Sequence, residues 1–294
     1  MLSILIPVYN YDVSKLVREL HKQGVQANFP FEIFIFDDGS NSPINEKNML
    51  LNNLDKVVFK SLEKNVGLAQ NRNLLAESAQ YENLLFIDGD SLVRENFLQN
   101  YADALQNSTT VIYGGRVHPE NYPNKKESLR WKYGKYVEDK TPEERKKKPY
   151  NSTLFNNTLI KKQVFEKIGF EKSLTKYGHE DNLFVCELKK RQIDIQHIEN
   201  PVIHDDIDPN EIFLKKTQTG LDNLKQLCQN GMMSPNYVKL SRLHSSLKKI
   251  GLDRPLSWVF HQFEKPMRKN LTSQNPSLFV FTIFRLSYFC KINR

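Results

Sequence analysis

The sequence predicts an α/β fold in which a mostly parallel sheet is flanked by helices and followed by a helical C-terminal extension. Short apolar runs alternate, over roughly the first 210 residues, with segments whose apolar residues recur at helical spacing. This alternation is typical of βαβ units, in which parallel strands are buried on both faces. Beyond about residue 209 the pattern is helical. We therefore predict one domain over residues 1–210 and a helical extension over residues 211–294.

Each predicted strand is a short apolar run that ends at polar residues or glycine. The predicted strands cover residues 2–10, 31–36, 56–60, 84–88, 110–115, 154–160 and 194–198. Helical spacing indicates helices over residues 13–20, from about 68, around 95–105, over 164–168 and from 180. Residues 124–150 are rich in charge and lack an apolar face, which predicts a solvated loop, with a mobile flap over the site as the alternative.

Composition is that of an ordinary soluble globular protein, because 39% of the residues are hydrophobic and 26% are charged. The N-terminus lacks a basic n-region and a cleavage site, so it predicts a first strand and not a signal peptide. No apolar run approaches the ~18 residues of a membrane span. Cys186, Cys228 and Cys290 are too few and too far apart for a disulfide framework or a zinc site, which fits the cytoplasm.

The positive charge is concentrated in the C-terminal extension. Residues 235–294 contain six Lys and five Arg against Asp253 and Glu264, a net charge of +9, which leaves about −1 for the preceding 234 residues. This segment either packs on the domain, or forms a dimer interface, or lies on an anionic membrane. In the membrane alternative, the aromatic residues that would contact the lipid are Trp258, Phe260, Phe279, Phe281, Phe284 and Phe289.

A ligand site is predicted where the strands end. In a parallel sheet ligands bind at the carboxyl ends of the strands, which here are residues 7–10, 37–40 and 88–90. Asp88 and Asp90 repel each other unless a cation or proton neutralises them, so an oxygen-ligated divalent ion is one interpretation and an ordinary turn the other. His204, flanked by acidic residues, is a further candidate metal ligand or proton carrier.

Five segments together carry a resemblance to a known family. They are residues 3–10, 36–40, 65–73, 86–90 and 178–181, which read SILIPVYN, FDDGS, NVGLAQNRN, FIDGD and GHED. In this order and spacing the chain resembles family 2 glycosyltransferases of the GT-A class over roughly residues 1–210. It departs from the family at His179, where many relatives have a small residue, and in the C-terminal extension.

The resemblance implies an inverting transfer of a sugar from a nucleotide-diphosphate sugar, with UDP expected, to a glycan or lipid-linked acceptor in surface polysaccharide biosynthesis. Mn²⁺ or Mg²⁺ held by Asp90, Asp88 and His204 would neutralise the leaving diphosphate. Asp181 maps onto the general base, and Glu180 is expected to orient the acceptor or cap the helix. The expected nucleotide-sugar contacts are Pro7, Tyr9, Asn10, Asp37, Asp38, Asn65, Gly67, Arg72, Asp88 and Gly89.

Two other functions are alternatives to glycosyl transfer. Nucleotidyl transfer also uses carboxylates on an α/β sheet, but the N-terminus lacks the Gly-rich, basic phosphate loop of such enzymes. A nucleic-acid-binding module is suggested by the pI of 9.2, yet the basic residues lie in the extension and the predicted ligand rim is acidic. We expect no nucleic acid partner, and a cytoplasmic protein with peripheral membrane contact and homo-oligomerisation left open. The sequence leaves open the donor, the acceptor and which of Asp37 and Asp38 contacts the nucleotide.

Overall fold

The computed structural model describes residues 1–27, 29–107, 109–121, 124–174 and 178–294. These residues form two compact units. The first unit holds the described residues within 1–117, 139–174 and 180–206, and the second holds those within 118–138, 178–179 and 207–294. The inclusion of residues 118–138 in the second unit is a feature that the sequence does not predict.

The first unit is built on a seven-stranded sheet with the order β3-β2-β1-β4-β8-β6-β9. Among the described strands of this sheet, β8 is antiparallel to its neighbours β4 and β6, and every other pair is parallel. The predicted mostly parallel α/β fold is therefore confirmed. The strands are β1 Leu2–Val8, β2 Phe31–Asp37, β3 Val57–Ser61, β4 Asn83–Ile87, β5 Ser91–Leu92, β6 Val111–Tyr113, β7 Arg116–Val117, β8 Asn157–Lys161, β9 Ile195–His197 and β10 Val202–His204.

Helices cover both faces of this sheet, which explains why its strands are apolar without a break. In β4, Leu85 and Ile87 join one core, whereas Leu84 and Phe86 join the core on the opposite face. The α-helices are α1 Ser14–Gln26, α2 Ile44–Met49, α3 Leu68–Ser78, α4 Phe97–Ala104, α5 Ser128–Tyr133, α6 Pro142–Lys146, α7 Lys162–Glu166, α8 Glu180–Lys190, α9 Asn210–Gln229, α10 Lys239–Lys249, α11 Asp253–Leu271 and α12 Leu278–Ile292.

The segment 124–150 is not a loop, so that prediction was wrong. It contains α5 and α6, and α6 begins with a capping box between Thr141 and Glu144. Arg145 of α6 is buried and donates to the carbonyl oxygens of Gly114 (3.2 Å) and Ile198 (2.6 Å). Because the buried side of α6 includes a charged residue that binds backbone carbonyls, its sequence shows no apolar pattern, and the sequence therefore does not predict this helix.

The second unit is helical, and its core uses most of the aromatic residues of the C-terminal segment. Phe260, Phe281 and Phe284 belong to this core and Phe289 is buried as well, so these four side chains are covered by protein, which favours the packing alternative for them. Trp258 and Phe279 remain exposed. Within the described residues no helix combines the length and the hydropathy that crossing a bilayer requires.

Candidate active site

The predicted ligand rim is assembled by three adjacent parallel strands of the first unit. Strands β2, β1 and β4 are neighbours, so residues 7–10, 37–40 and 88–90 meet at one edge of the sheet. The Asp38 N–H donates to the Val8 carbonyl oxygen at 2.8 Å. Gly89 packs closely here, because a Cβ there would lie 3.0 Å from a methyl carbon of Val13 and 3.3 Å from one of Val8 at the end of β1.

The Asp37 carboxylate is held entirely by neighbouring donors. It is fully buried and accepts from the Ser40 backbone N–H and hydroxyl, the Asn45 amide and the Ser61 hydroxyl, at 2.7 to 3.0 Å. Burial alone would raise the pKa of Asp37, but these hydrogen bonds outweigh it and lower the pKa below its ordinary value. Asp37 therefore fixes the turn after β2 as an ionised carboxylate.

Asp38 connects the same turn to the start of α3. Its carboxylate accepts from the backbone N–H groups of Val66 (2.7 Å) and Gly67 (3.0 Å), while burial raises its pKa against these bonds. Gly39 has φ +66°, and a Cβ there would lie 2.5 Å from the Lys64 carbonyl carbon. This turn accordingly requires glycine, because a side chain would meet backbone atoms.

The three residues 71–73 of α3 make three different connections. The Asn71 amide donates to the Phe36 carbonyl oxygen at 2.9 Å, at the end of β2. The Asn73 amide donates to the Phe170 carbonyl oxygen and accepts from its N–H, both at 2.9 Å. The two asparagines thus anchor α3 on either side of Arg72.

Arg72 lies between two carboxylates that are distant in sequence. Its side chain is 1% exposed, and its two terminal nitrogens donate to Asp88 at 2.8 Å and to Asp181 at 2.7 Å. The guanidinium also lies over the Phe170 ring, 5.3 Å from its centroid. Burial would lower the pKa of Arg72, but Asp181 and Asp88 raise it above its ordinary value. The guanidinium is a permanent cation that brings Asp88 and Asp181 together.

Backbone groups that the sequence does not identify also position Asp181 and Asp88. Asp181, in the first turn of α8, accepts from the Phe155 N–H at 3.0 Å, and the Asp88 N–H donates to the Asn156 carbonyl oxygen at 3.3 Å. Burial, followed by the charges of Asp90 and Asp181, raises the pKa of Asp88, although Arg72 opposes this. The site therefore concentrates negative charge that an added cation would stabilise.

Asp90 and His204 meet because β5 pairs with β10. Ser91 lies opposite His204 in this antiparallel pair, and the His204 Nε2 is 3.2 Å from the Asp90 Oδ2. The Asp205 N–H donates to the Asp90 carbonyl oxygen at 3.0 Å. Burial and the charges of four aspartates, with Asp205 contributing most, raise the pKa of Tyr11 to about 12, so Tyr11 is a neutral phenol here.

The donor set at Asp90 and His204 fits a divalent cation completed by ligand oxygens. No group of three or more His, Cys, Asp or Glu side chains within the described residues is arranged to hold a metal by itself. Mg²⁺ in nucleotide sites is commonly bound by one or two carboxylates plus phosphates and water. Asp90 and His204 together supply one carboxylate and one imidazole nitrogen at such a position.

The other predicted site residues are distributed around this rim. Glu180 is buried as the first residue of α8, Pro7, Gly67 and Gly89 are buried, and Tyr9, Asn10 and Asn65 are exposed. Their roles toward a ligand stay predictions. His179, the departure from the family pattern, has φ +71°, a conformation that glycine adopts most readily. This backbone geometry explains why glycine suits the position before the acidic pair.

The mostly parallel sheet, the helices on its faces and the acidic rim are the features expected of a GT-A fold. The family model described as Glycosyl transferase family 2 matches residues 3–169, more than half of the chain, so the chain belongs to that family. An uncharacterized glycosyltransferase of Rickettsia conorii is 27% identical over 137 residues, 47% of this chain and 21% of the relative. One of Rickettsia felis is 34% identical over 90 residues, 31% and 15% of the two chains.

Solved structures support the same fold. A mannosyltransferase from Pyrobaculum calidifontis, in complex with GDP-Man and Mn²⁺, matches 98% of this chain and 84% of its own, with a TM-score of 0.55 and 12% identity. S. aureus TarS in complex with UDP-GlcNAc matches 99% of this chain and 90% of its own, with a TM-score of 0.51 and 16% identity. At these identities the likeness concerns the fold.

Proposed function

We propose that this protein is an inverting glycosyltransferase that moves a sugar from a nucleotide-diphosphate sugar, with UDP the expected nucleotide, to a hydroxyl of a glycan or lipid-linked acceptor of a surface polysaccharide. One observation carries the proposal. Arg72 binds both Asp88, at the end of β4, and Asp181, at the start of α8, so that a carboxylate suited to the donor and one suited to the acceptor share one guanidinium.

In the proposed reaction an acceptor hydroxyl attacks the anomeric carbon while Asp181 accepts its proton. The bond between that carbon and the diphosphate oxygen breaks, and the nucleoside diphosphate leaves with the bonding electron pair. Each oxygen of Asp181 already accepts one hydrogen bond in this structure, and a carboxylate has about four lone-pair sites, so it can still accept one from the acceptor. A single displacement inverts the anomeric configuration.

A divalent cation, Mn²⁺ or Mg²⁺, is proposed as the cofactor, held by Asp90 and His204 with Asp88 nearby. When bound it would act as a Lewis acid toward the leaving diphosphate. Support comes from the charge of the site, because the neighbouring Asp90 carboxylate raises the pKa of Asp88. The other residues predicted to contact the nucleotide sugar, of which Pro7 is the first in the sequence and Gly89 the last, are proposed to surround the nucleotide. Homo-oligomerisation stays an open alternative, and the division of the chain near residue 210 stays a prediction.

The test is nucleoside diphosphate release from a panel of nucleotide sugars, with and without Mn²⁺. Asp181→Asn should keep donor binding and lose about 10²–10⁴-fold in rate, because positioned proton transfer contributes about that much. Asp90→Ala should instead weaken Mn²⁺-dependent donor binding. Asp55→Asn, at an exposed position before β3, is the matched control and should leave both properties unchanged.

Two outcomes would contradict the proposal. Unchanged turnover in Asp181→Asn would remove the assigned base. Release of inorganic pyrophosphate from a nucleoside triphosphate supplied together with a sugar phosphate, without nucleoside diphosphate release from any nucleotide sugar, would instead indicate nucleotidyl transfer, the other enzyme class that the sequence leaves open.

A further inference from the structure

The corner between α10 and α11 presents apolar and basic side chains to solvent together. We define this corner face by Lys248, Lys249, Ile250, Leu252, Arg254 and Trp258. Ile250 is 69% exposed, Trp258 57% and Leu252 46%, and the three basic residues are exposed as well. Soluble proteins seldom leave large apolar residues clustered at the surface without a binding role.

The same face continues along α11 with the same character. Arg254, Trp258, Lys265 and Lys269 are all exposed, and their spacing of four, seven and four residues keeps them on one side of the helix. Phe263, half exposed, lies beside Trp258 with the two ring centroids 6.3 Å apart. The result is a stripe in which cations flank aromatic rings.

Acidic residues do little to neutralise this stripe. The sequence from Lys239 to Lys269 contains only Asp253 and Glu264 as acids. Asp253 is buried, and Glu264 accepts a hydrogen bond from Arg268 at 3.0 Å. The exposed charge of the corner face and of α11 beyond it is therefore positive, although the buried side of α11 packs in the core of the second unit through Phe260 and Leu271.

We propose that the corner face docks on an anionic lipid bilayer. Lys and Arg are attracted to the negative surface potential, while Trp and aliphatic side chains enter the interface between headgroups and acyl chains. A second copy of the chain is a poor occupant, because two positive faces repel each other. Single-stranded nucleic acid would use the cations and Trp258, but it binds on stacking planes, which Ile250 and Leu252 do not offer.

The first experiment tests the charges. Full-length protein is sedimented with vesicles of phosphatidylcholine alone or mixed with phosphatidylglycerol, at low and high salt. Binding should require phosphatidylglycerol and weaken with salt. Lys249→Glu/Arg254→Glu should weaken it by roughly 30-fold or more, since each basic residue contributes ~1 kcal/mol and ~1.4 kcal/mol is tenfold. The matched control, Lys15→Glu/Arg18→Glu on exposed positions of α1, should bind like the original protein.

The second experiment tests the apolar residues. Trp258→Ala/Ile250→Ser should abolish the binding that persists at high salt, whereas Phe279→Ala, an exposed aromatic residue of α12 outside the corner face, should not. Thermal melting shows that each variant is folded. Absent vesicle binding, equal losses in the test and control variants, or displacement of the protein from vesicles by an oligonucleotide at lower concentration than by soluble lipid headgroup, would overturn the proposal. None of these measurements depends on catalysis.

Discussion

Replacing Arg72 by Met should destabilise the first unit by about 3 kcal/mol at neutral pH. The side chain is 1% exposed and makes two charge-assisted hydrogen bonds, of 2.7 and 2.8 Å. Removing one partner of a buried ion pair costs ~3–5 kcal/mol, because an uncompensated charge stays behind. Asp88 and Asp181 keep 31% and 15% of their side-chain surface exposed, so water can solvate them in part, and the lower end of that range applies.

The loss should depend on pH with a definite sign. Without Arg72, the pKa of Asp88, already raised by burial, rises further above the ~3.9 of an unfolded chain. A carboxyl whose folded pKa is raised keeps its proton in the folded state, so the variant loses stability as pH rises through that window and regains it as pH falls. The difference from the original protein should therefore be smaller at pH ~4 than at pH ~7.

Urea unfolding of the original protein, Arg72→Met and Arg72→Lys measures the loss of stability and its dependence on pH. Lys keeps the charge but has a single ammonium, which cannot bind both carboxylates with the geometry of a guanidinium, so its loss should be intermediate. Lys190→Met is the control, because Lys190 forms a surface pair with Glu187 at 2.7 Å that should contribute under ~1 kcal/mol. A loss in Arg72→Met no larger than in this control would refute a structural role and favour the nucleotide-sugar contact predicted from the sequence.

Three further predictions concern single positions of the first unit. Gly39→Ala should cost at least ~2 kcal/mol in thermal melting, because it combines positive φ with a backbone clash, whereas Gly231→Ala in the second unit, with positive φ and open space, should cost ~1 kcal/mol. His197 is buried with its pKa lowered to about 4, so His197→Phe should remove the part of the stability loss between pH ~6.5 and 4 that His197 contributes, measured by urea unfolding across this range. The lowered pKa of Asp37 stabilises the fold above pH ~3.9, so Asp37→Asn should lose ~1.5–3 kcal/mol at neutral pH, the contribution of hydrogen bonds to a charged group, and this loss should shrink as the pH falls below ~3.9.

The sheet was predictable from sequence because its strands are covered on both faces. Runs such as Leu84–Ile87 bury alternate residues in two cores, which produces uninterrupted apolar sequence. The position of the ligand rim could be predicted from the same strands, because neighbouring parallel strands place their carboxyl ends together. By contrast, β5, β7 and β10 are two or three residues long and have no measurable periodicity, so the pairing that brings His204 to Asp90 was not evident.

In the C-terminal segment the sequence does not predict which residues are buried. Its aromatic residues have no sequence feature that separates core from surface, because both kinds occur within two turns of α11, where Phe260 is buried and Trp258 is exposed. The partition depends on which side of α11 packs on α12, a tertiary property. Composition could therefore indicate a basic, aromatic extension, but only the fold separates its core from the corner face.

Arg72 connects the part of the chain that the family model matches to a residue outside it. The family model ends at residue 169, so Asp181 lies beyond the matched region, whereas Arg72 and Asp88 lie within it. A buried guanidinium without carboxylate partners would be strongly unfavourable, and the hydrogen bonds of 2.7 and 2.8 Å supply both partners. The burial of Arg72 is thus compensated by Asp181 of α8 together with Asp88, the residue after β4. This contact gives Asp181 a place at the rim that does not depend on resemblance, and the proposed base can be tested on that ground.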